Sequence, residues 1–110
     1  MDIRNEHHDG RHLVALTGRF DAHETTGFRD HLAGLFTGAD VTVTIELSGV
    51  HFIDSTALAE LLRAARAAEA AGATLVLLNP SDPVRVIFEL TALDKAFSIR
   101  YGPAVPDVAA

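Results

Sequence analysis

Between Val41 and Ala71 the spacing of apolar residues changes once, and that change limits the folds open to this chain. Val41, Val43, Ile45 and Leu47 alternate with Thr42, Thr44 and Glu46. Period two places the four apolar residues on one face of a strand. From Thr56 to Ala71 the period becomes helical. Leu58, Leu61, Leu62, Ala65 and Ala68 form an inward stripe, Glu60, Arg63 and Arg66 face water, and Gly72 supplies a C-terminal cap. A strand therefore feeds a helix, and Ser48 to Ile53 reads as the connection, anchored by Phe52 and Ile53.

Similar segments flank this pair. Leu13-Val14-Ala15-Leu16 reads as a strand closed by Gly18, following a hairpin-like start. Glu24 to Phe36 places Phe28, Leu32, Leu35 and Phe36 on one helical face, with Gly38 as the stop. Thr74 to Leu78 is a short apolar run suited to a central strand covered on both faces. Asp82-Pro83 opens a third helix, Asp82 as N-cap and Pro83 at its first position, with Val84, Ile87, Phe88 and Leu90 inward. Phe97, Ile99 and Tyr101 alternate as a last strand, and Gly102 to Ala110 reads as a loose tail. The order is β-β-α-β-α-β-α-β. It predicts one α/β domain over residues 1–110, with a mixed, partly parallel sheet and helices packed against it.

Several functions are disfavoured by what the chain contains. It has no Cys, hence no disulfide, thiolate metal site or Cys nucleophile. Its net charge is −6, and the eight Arg and single Lys95 are scattered. A nucleic-acid backbone or an anionic membrane surface is therefore not the expected partner. No secretory leader and no run of the ~18 apolar residues needed to span a bilayer is visible, so a cytoplasmic location is expected. The six His have no helical ligand spacing, and no nucleophile elbow, Gly-rich phosphate loop or acid/base carboxylate pair occurs. The expectation is no catalytic residue, no metal and no cofactor. Asp54 resembles the acceptor of a response-regulator receiver, but the second acid that would hold a divalent cation is missing.

The strand-to-helix junction Asp54-Ser55-Thr56-Ala57-Leu58 is the remaining candidate site. Free N–H groups and the positive dipole end at a helix entrance suit an anion, and a hydroxyl there is well placed to carry a phosphate. Asp54, Ser55 and Thr56 can each equally serve as a simple cap.

Two motifs give the chain a resemblance to a known family. Leu16-Thr17-Gly18-Arg19-Phe20-Asp21 is similar to Leu-x-Gly-x-Leu-Asp, and Val43 to Leu58 is similar to a strand-to-helix segment ending in Asp-Ser-Ser/Thr-Gly-Leu. Both belong to the STAS domain, and within it to the stand-alone anti-sigma factor antagonists of bacteria. Gly72 to Leu77 and Val84 to Leu93 follow the same course, so the resemblance covers about residues 3–101. It implies that Ser55 is the phosphoacceptor, with Thr56 the lesser candidate. It implies a partner-binding surface at Asp21, Asp54, Ser55, Thr56, Ala57 and Leu58. The implied partners are an anti-sigma factor of the GHKL serine kinase type and a metal-dependent serine phosphatase. Similar domains also serve as accessory subunits on the ATPase of lipid-trafficking ABC transporters or as stressosome-like scaffolds. Ala57 stands where the family has Gly, adding a methyl expected to crowd an approaching partner, and Phe20 stands where it has Leu.

Overall fold

The chain begins with two antiparallel strands, β1 (Asp2–His8) and β2 (Arg11–Phe20), paired from Asp2↔Thr17 to His8↔Arg11. Asp9 and Gly10 make the two-residue turn, with φ of 49° and 75°. Left-handed backbone at both positions matches the right-handed twist of the flanking strands, and Asp-Gly is among the pairs that adopt it most readily. The remaining elements are α1 (Thr25–Leu32), β3 (Thr42–Ile53), α2 (Ser55–Ala70), β4 (Thr74–Leu78), α3 (Asp82–Leu90), a 3₁₀ turn (Leu93–Lys95) and β5 (Ile99–Arg100). This is the element order read from the sequence. The computed structural model describes residues 1–103, so all but the first two positions of the expected loose tail lie outside the described residues.

The five strands form one sheet in the order β1-β2-β3-β4-β5, with β2, β3, β4 and β5 mutually parallel. The helices cross between the parallel strands. Val14, Leu16, Val43, Ile45, Leu47, Leu75 and Leu77 point into one core with Phe28 of α1, Leu58 and Leu61 of α2, and Val84 and Phe88 of α3. β4 coincides with the expected Thr74–Leu78 strand and is hydrogen-bonded on both sides.

Several boundaries differ from the sequence reading. β2 does not close at Gly18 but runs to Phe20, and Ser48–Ile53 is not a connection but the second half of β3. The two segments pair with each other, Phe20 opposite Ile53, across register shifts between Ala15 and Thr17 and between Gly18 and Arg19. Such irregularities break the period-two signal while keeping the ladder. At the first of them Gly49 comes so close to β2 that a Cβ would lie 3.1 Å from the Leu16 carbonyl oxygen. α1 stops at Leu32 rather than Phe36, and Leu35 and Phe36 pack on the core from the following turns. At α3 the N-cap residue is Ser81, not Asp82. The Ser81 hydroxyl donates to the Val50 carbonyl and ties α3 to β3. Leu90 is not inward but 77% exposed, because six residues past Val84 it has rotated off the Val84–Phe88 stripe. The last strand is only Ile99–Arg100, with Phe97 buried before it and Tyr101 exposed after it.

Glu60 also departs from its expected place. Its side chain is 3% exposed and bridges α1 and α2: it accepts from Arg29 Nη2 at 2.6 Å and lies 2.6 Å from Arg63 Nη2. Burial alone raises a carboxyl pKa, but hydrogen bonds from the two guanidinium groups outweigh it and hold Glu60 below its ordinary 4.5. A carboxyl depressed in the folded state contributes stability above its unfolded pKa, and the contribution is lost as pH falls through the folded value. Urea unfolding from pH 7 to pH 3 should therefore show stability declining below about pH 4.5. Glu60→Gln should lower stability at pH 7 by about 1–3 kcal/mol and flatten part of that decline. A decline as steep in Glu60→Gln as in the parent chain would place its origin elsewhere.

Candidate functional site

β3 delivers Asp54 to the mouth of α2. The backbone there is extended, with φ −103° and ψ 177°, the geometry of an N-cap residue. Of the three residues able to cap, Asp54 does so. Its Oδ1 accepts from Ala57 N–H at 2.9 Å, and its carbonyl accepts from Leu58 N–H at 3.0 Å. Its Oδ2 accepts from Ala22 N–H at 3.0 Å, and its own N–H donates to the Phe20 carbonyl at 3.2 Å. One aspartate thus caps α2 and pins the turn that follows β2.

The turn carries Asp21, whose Oδ1 accepts from His23 N–H at 3.1 Å and whose Oδ2 lies 3.8 Å from Arg19 Nε. The Arg19 guanidinium sits 4.0 Å over the ring of Phe52, which is 36% exposed. Asp21 and Asp54, thirty-three positions apart, are therefore joined through the backbone of Ala22.

With the cap supplied by Asp54, the hydroxyls of Ser55 and Thr56 have no hydrogen-bond partner among the described residues. Both residues are exposed. Nor do their backbone N–H groups find a protein acceptor there. Of the four N–H groups at this helix start that lack an intrahelical acceptor, those of Asp54 and Ala57 are satisfied and those of Ser55 and Thr56 are not. The first turn of α2 thus offers a nucleophilic hydroxyl and unsatisfied donors to whatever approaches.

Ala57 and Leu58 do not join the exposed surface that the resemblance implied, although Leu58 lies inward as its helical stripe predicts. Ala57 is fully buried and Leu58 nearly so, both packed in the core. The Ala57 methyl therefore points away from the surface and cannot crowd a partner, and neither side chain belongs to the exposed site. The exposed part is Ser55 and Thr56, rimmed by Asp21 and Asp54. Sequence reasoning did not single out Arg19 or Phe52 for this rim. Alternation at the end of β3 would have been the signal, and the register shifts erase it.

Asp54→Ala removes both the cap and the tie to Ala22. Loss of an N-cap carboxylate costs about 0.5–2 kcal/mol. The expected result is a fall of that size in urea-unfolding stability, with hydrogen exchange speeded more at the Ala22 and Ala57 amides than in the sheet. Unchanged exchange at Ala22 would show that the β2 turn does not depend on Asp54.

Among the described residues no group of three or more His, Asp or Glu is arranged to hold a metal ion. No helix among them is long and apolar enough to cross a membrane.

Comparison with known proteins agrees with this architecture. The family model described as "Mlab, STAS domain" matches residues 3–101. A curated relative, the anti-sigma F factor antagonist of Lysinibacillus sphaericus, is 32% identical over 82 residues, covering 74% of this chain and 70% of the relative. The anti-sigma factor antagonist SpoIIAA in its unphosphorylated form superposes with a TM-score of 0.78 at 23% identity, over 93% of this chain and 89% of that one. The Bacillus cell fate determinant SpoIIAA in its phosphorylated form superposes with a TM-score of 0.73 at 22% identity, over 93% and 92% of the two chains. The chain belongs to the STAS domain family, with the anti-sigma factor antagonists.

Proposed function

We propose that this protein is a phosphorylation-switched antagonist of an anti-sigma factor. In this reading Ser55 is the acceptor, and the surface formed by Asp21, Asp54, Ser55 and Thr56 docks on an anti-sigma factor that is a GHKL-type serine kinase. The unphosphorylated form holds the kinase and frees its sigma factor. Phosphorylation releases the complex, and a metal-dependent serine phosphatase resets it. The role is regulatory rather than enzymatic.

The observation that carries this reading is the exposed, unengaged Ser55 hydroxyl at the first position of α2, directly after an aspartate that has taken over the capping. A hydroxyl used as the cap would be tied to the helix; this one is free to react. The relative from Lysinibacillus sphaericus bears the name of an anti-sigma F factor antagonist, and SpoIIAA is known in both an unphosphorylated and a phosphorylated form.

The test is incubation with the cognate kinase and ATP followed by intact mass. One phosphoryl group is expected on the parent chain and none on Ser55→Ala. A phosphoryl group on Thr56 in the Ser55→Ala protein would overturn the assignment. In a pull-down, recovery of an ABC-transporter ATPase or of a large homo-assembly, in place of a kinase, would replace the proposed partner.

A further inference from the structure

The sheet face opposite the helices carries a second candidate site, unrelated to Ser55. Arg4 of β1 pairs with Ala15 of β2, and Ala15 with Glu46 of β3, so the three form one row across that face. Between the outer two the small Ala15 side chain leaves a concavity of about 640 Å³, lined also by Glu6, Leu13 and Ser48. Glu46 is only 8% exposed, yet it lines this space. Its Oε1 accepts from Ser48 N–H at 3.0 Å and from the Ser48 hydroxyl at 2.8 Å, and its Oε2 accepts from Asn79 Nδ2 at 3.1 Å. These are neutral donors. Among the described residues Glu46 has no cationic partner, and Arg4 has no anionic one.

A buried carboxylate without a counter-charge is costly, and a guanidinium beyond its reach across a gap does not offset that cost. Two interstrand spacings put the backbones of Arg4 and Glu46 about 10 Å apart. A flexible Arg side chain spans part of that distance and a small molecule the rest.

We infer that this concavity binds a small zwitterion, its ammonium on Glu46 Oε2, its carboxylate on Arg4, and its carbon chain over Leu13 and Ala15. Ser48 and Asn79 hold the Glu46 carboxylate in place before the ligand arrives.

The test is a ¹H–¹⁵N NMR titration of the full chain with 4-aminobutyrate, with n-butylammonium chloride and sodium butyrate as single-charge probes at equal ionic strength. 4-Aminobutyrate should displace the Ala15 and Ser48 amide signals saturably, while Ser55 and Thr56 stay still. Glu46→Gln and Arg4→Ala should each weaken the interaction by about tenfold or more. Arg4 is exposed, so its replacement tests the site even if Glu46→Gln disturbs the fold. No saturable displacement, or equal displacement in parent and Arg4→Ala, would overturn the site. Butylammonium acting as strongly as 4-aminobutyrate would overturn the zwitterion.

Discussion

Ser55→Asp is expected to weaken binding to the proposed anti-sigma kinase partner by about a hundredfold, while Ser55→Ala binds as well as the parent chain. Phosphate at Ser55 adds about −1.5 to −2 charges. At the start of α2 that charge meets the unsatisfied N–H groups of Ser55 and Thr56 and the positive end of the helix. The field there favours an anion by about 0.3–1 kcal/mol. The domain should therefore keep its fold when phosphorylated. The penalty falls on the complex, where a docked partner strips water from a negative charge already flanked by Asp21 and Asp54. A cost of about 3 kcal/mol for such a desolvated, unpaired charge corresponds to a hundredfold in affinity. Titration calorimetry of the three proteins against the nucleotide-bound kinase measures it. Equal affinity of Ser55→Asp and parent, with unchanged urea stability of both, would mean that the partner docks elsewhere.

The second large effect concerns the support behind the site. Phe28→Ala should cost about 3–5 kcal/mol. Phe28 is fully buried and its ring lies 4.9 Å from that of Phe20, the residue whose carbonyl receives the Asp54 N–H. α1 has only eight residues and no side-chain cap, so by itself it would not persist in water. Phe28, Leu32 and the Arg29–Glu60 pair are what hold it. Against a total stability of about 5–15 kcal/mol for a domain of this kind, the loss is large. Urea unfolding gives the total, and amide exchange should show α1 and the Asp21–Glu24 turn opening first. A cost under about 1 kcal/mol would show that the site side of the core collapses around the missing ring.

The order of elements was legible because most of it rests on local periodicity. The central run of β3 and the body of α2 each repeat their apolar residues at one spacing, and β4 is a continuous run of four apolar residues. β1 was read only as part of a hairpin-like start, without bounds, because six of its seven side chains are exposed and a polar edge strand carries no alternation. Its signal was the Asp9-Gly10 turn, which the hairpin-like reading did not use. Position 55 was legible too, since an apolar segment ending at Ile53 and a helical period beginning near Thr56 put a hydroxyl at the junction whatever the rest of the chain does.

The environment of that hydroxyl was not legible. That Asp54 caps α2 and also holds Ala22, that Ala57 turns its methyl into the core, and that Glu60 is drawn inside between two arginines all depend on partners from other elements. Periodicity along one element assigns a face. It does not say whether a neighbouring strand runs on past a register shift or whether a distant guanidinium offsets the burial of an acid. The sequence by itself determined the alternation of strands and helices and the place of Ser55 at a helix entrance, because both follow from spacing within single segments. Only the tertiary structure decided which groups surround Ser55 and which charges lie buried, because desolvation and hydrogen bonding are settled between segments far apart in the chain.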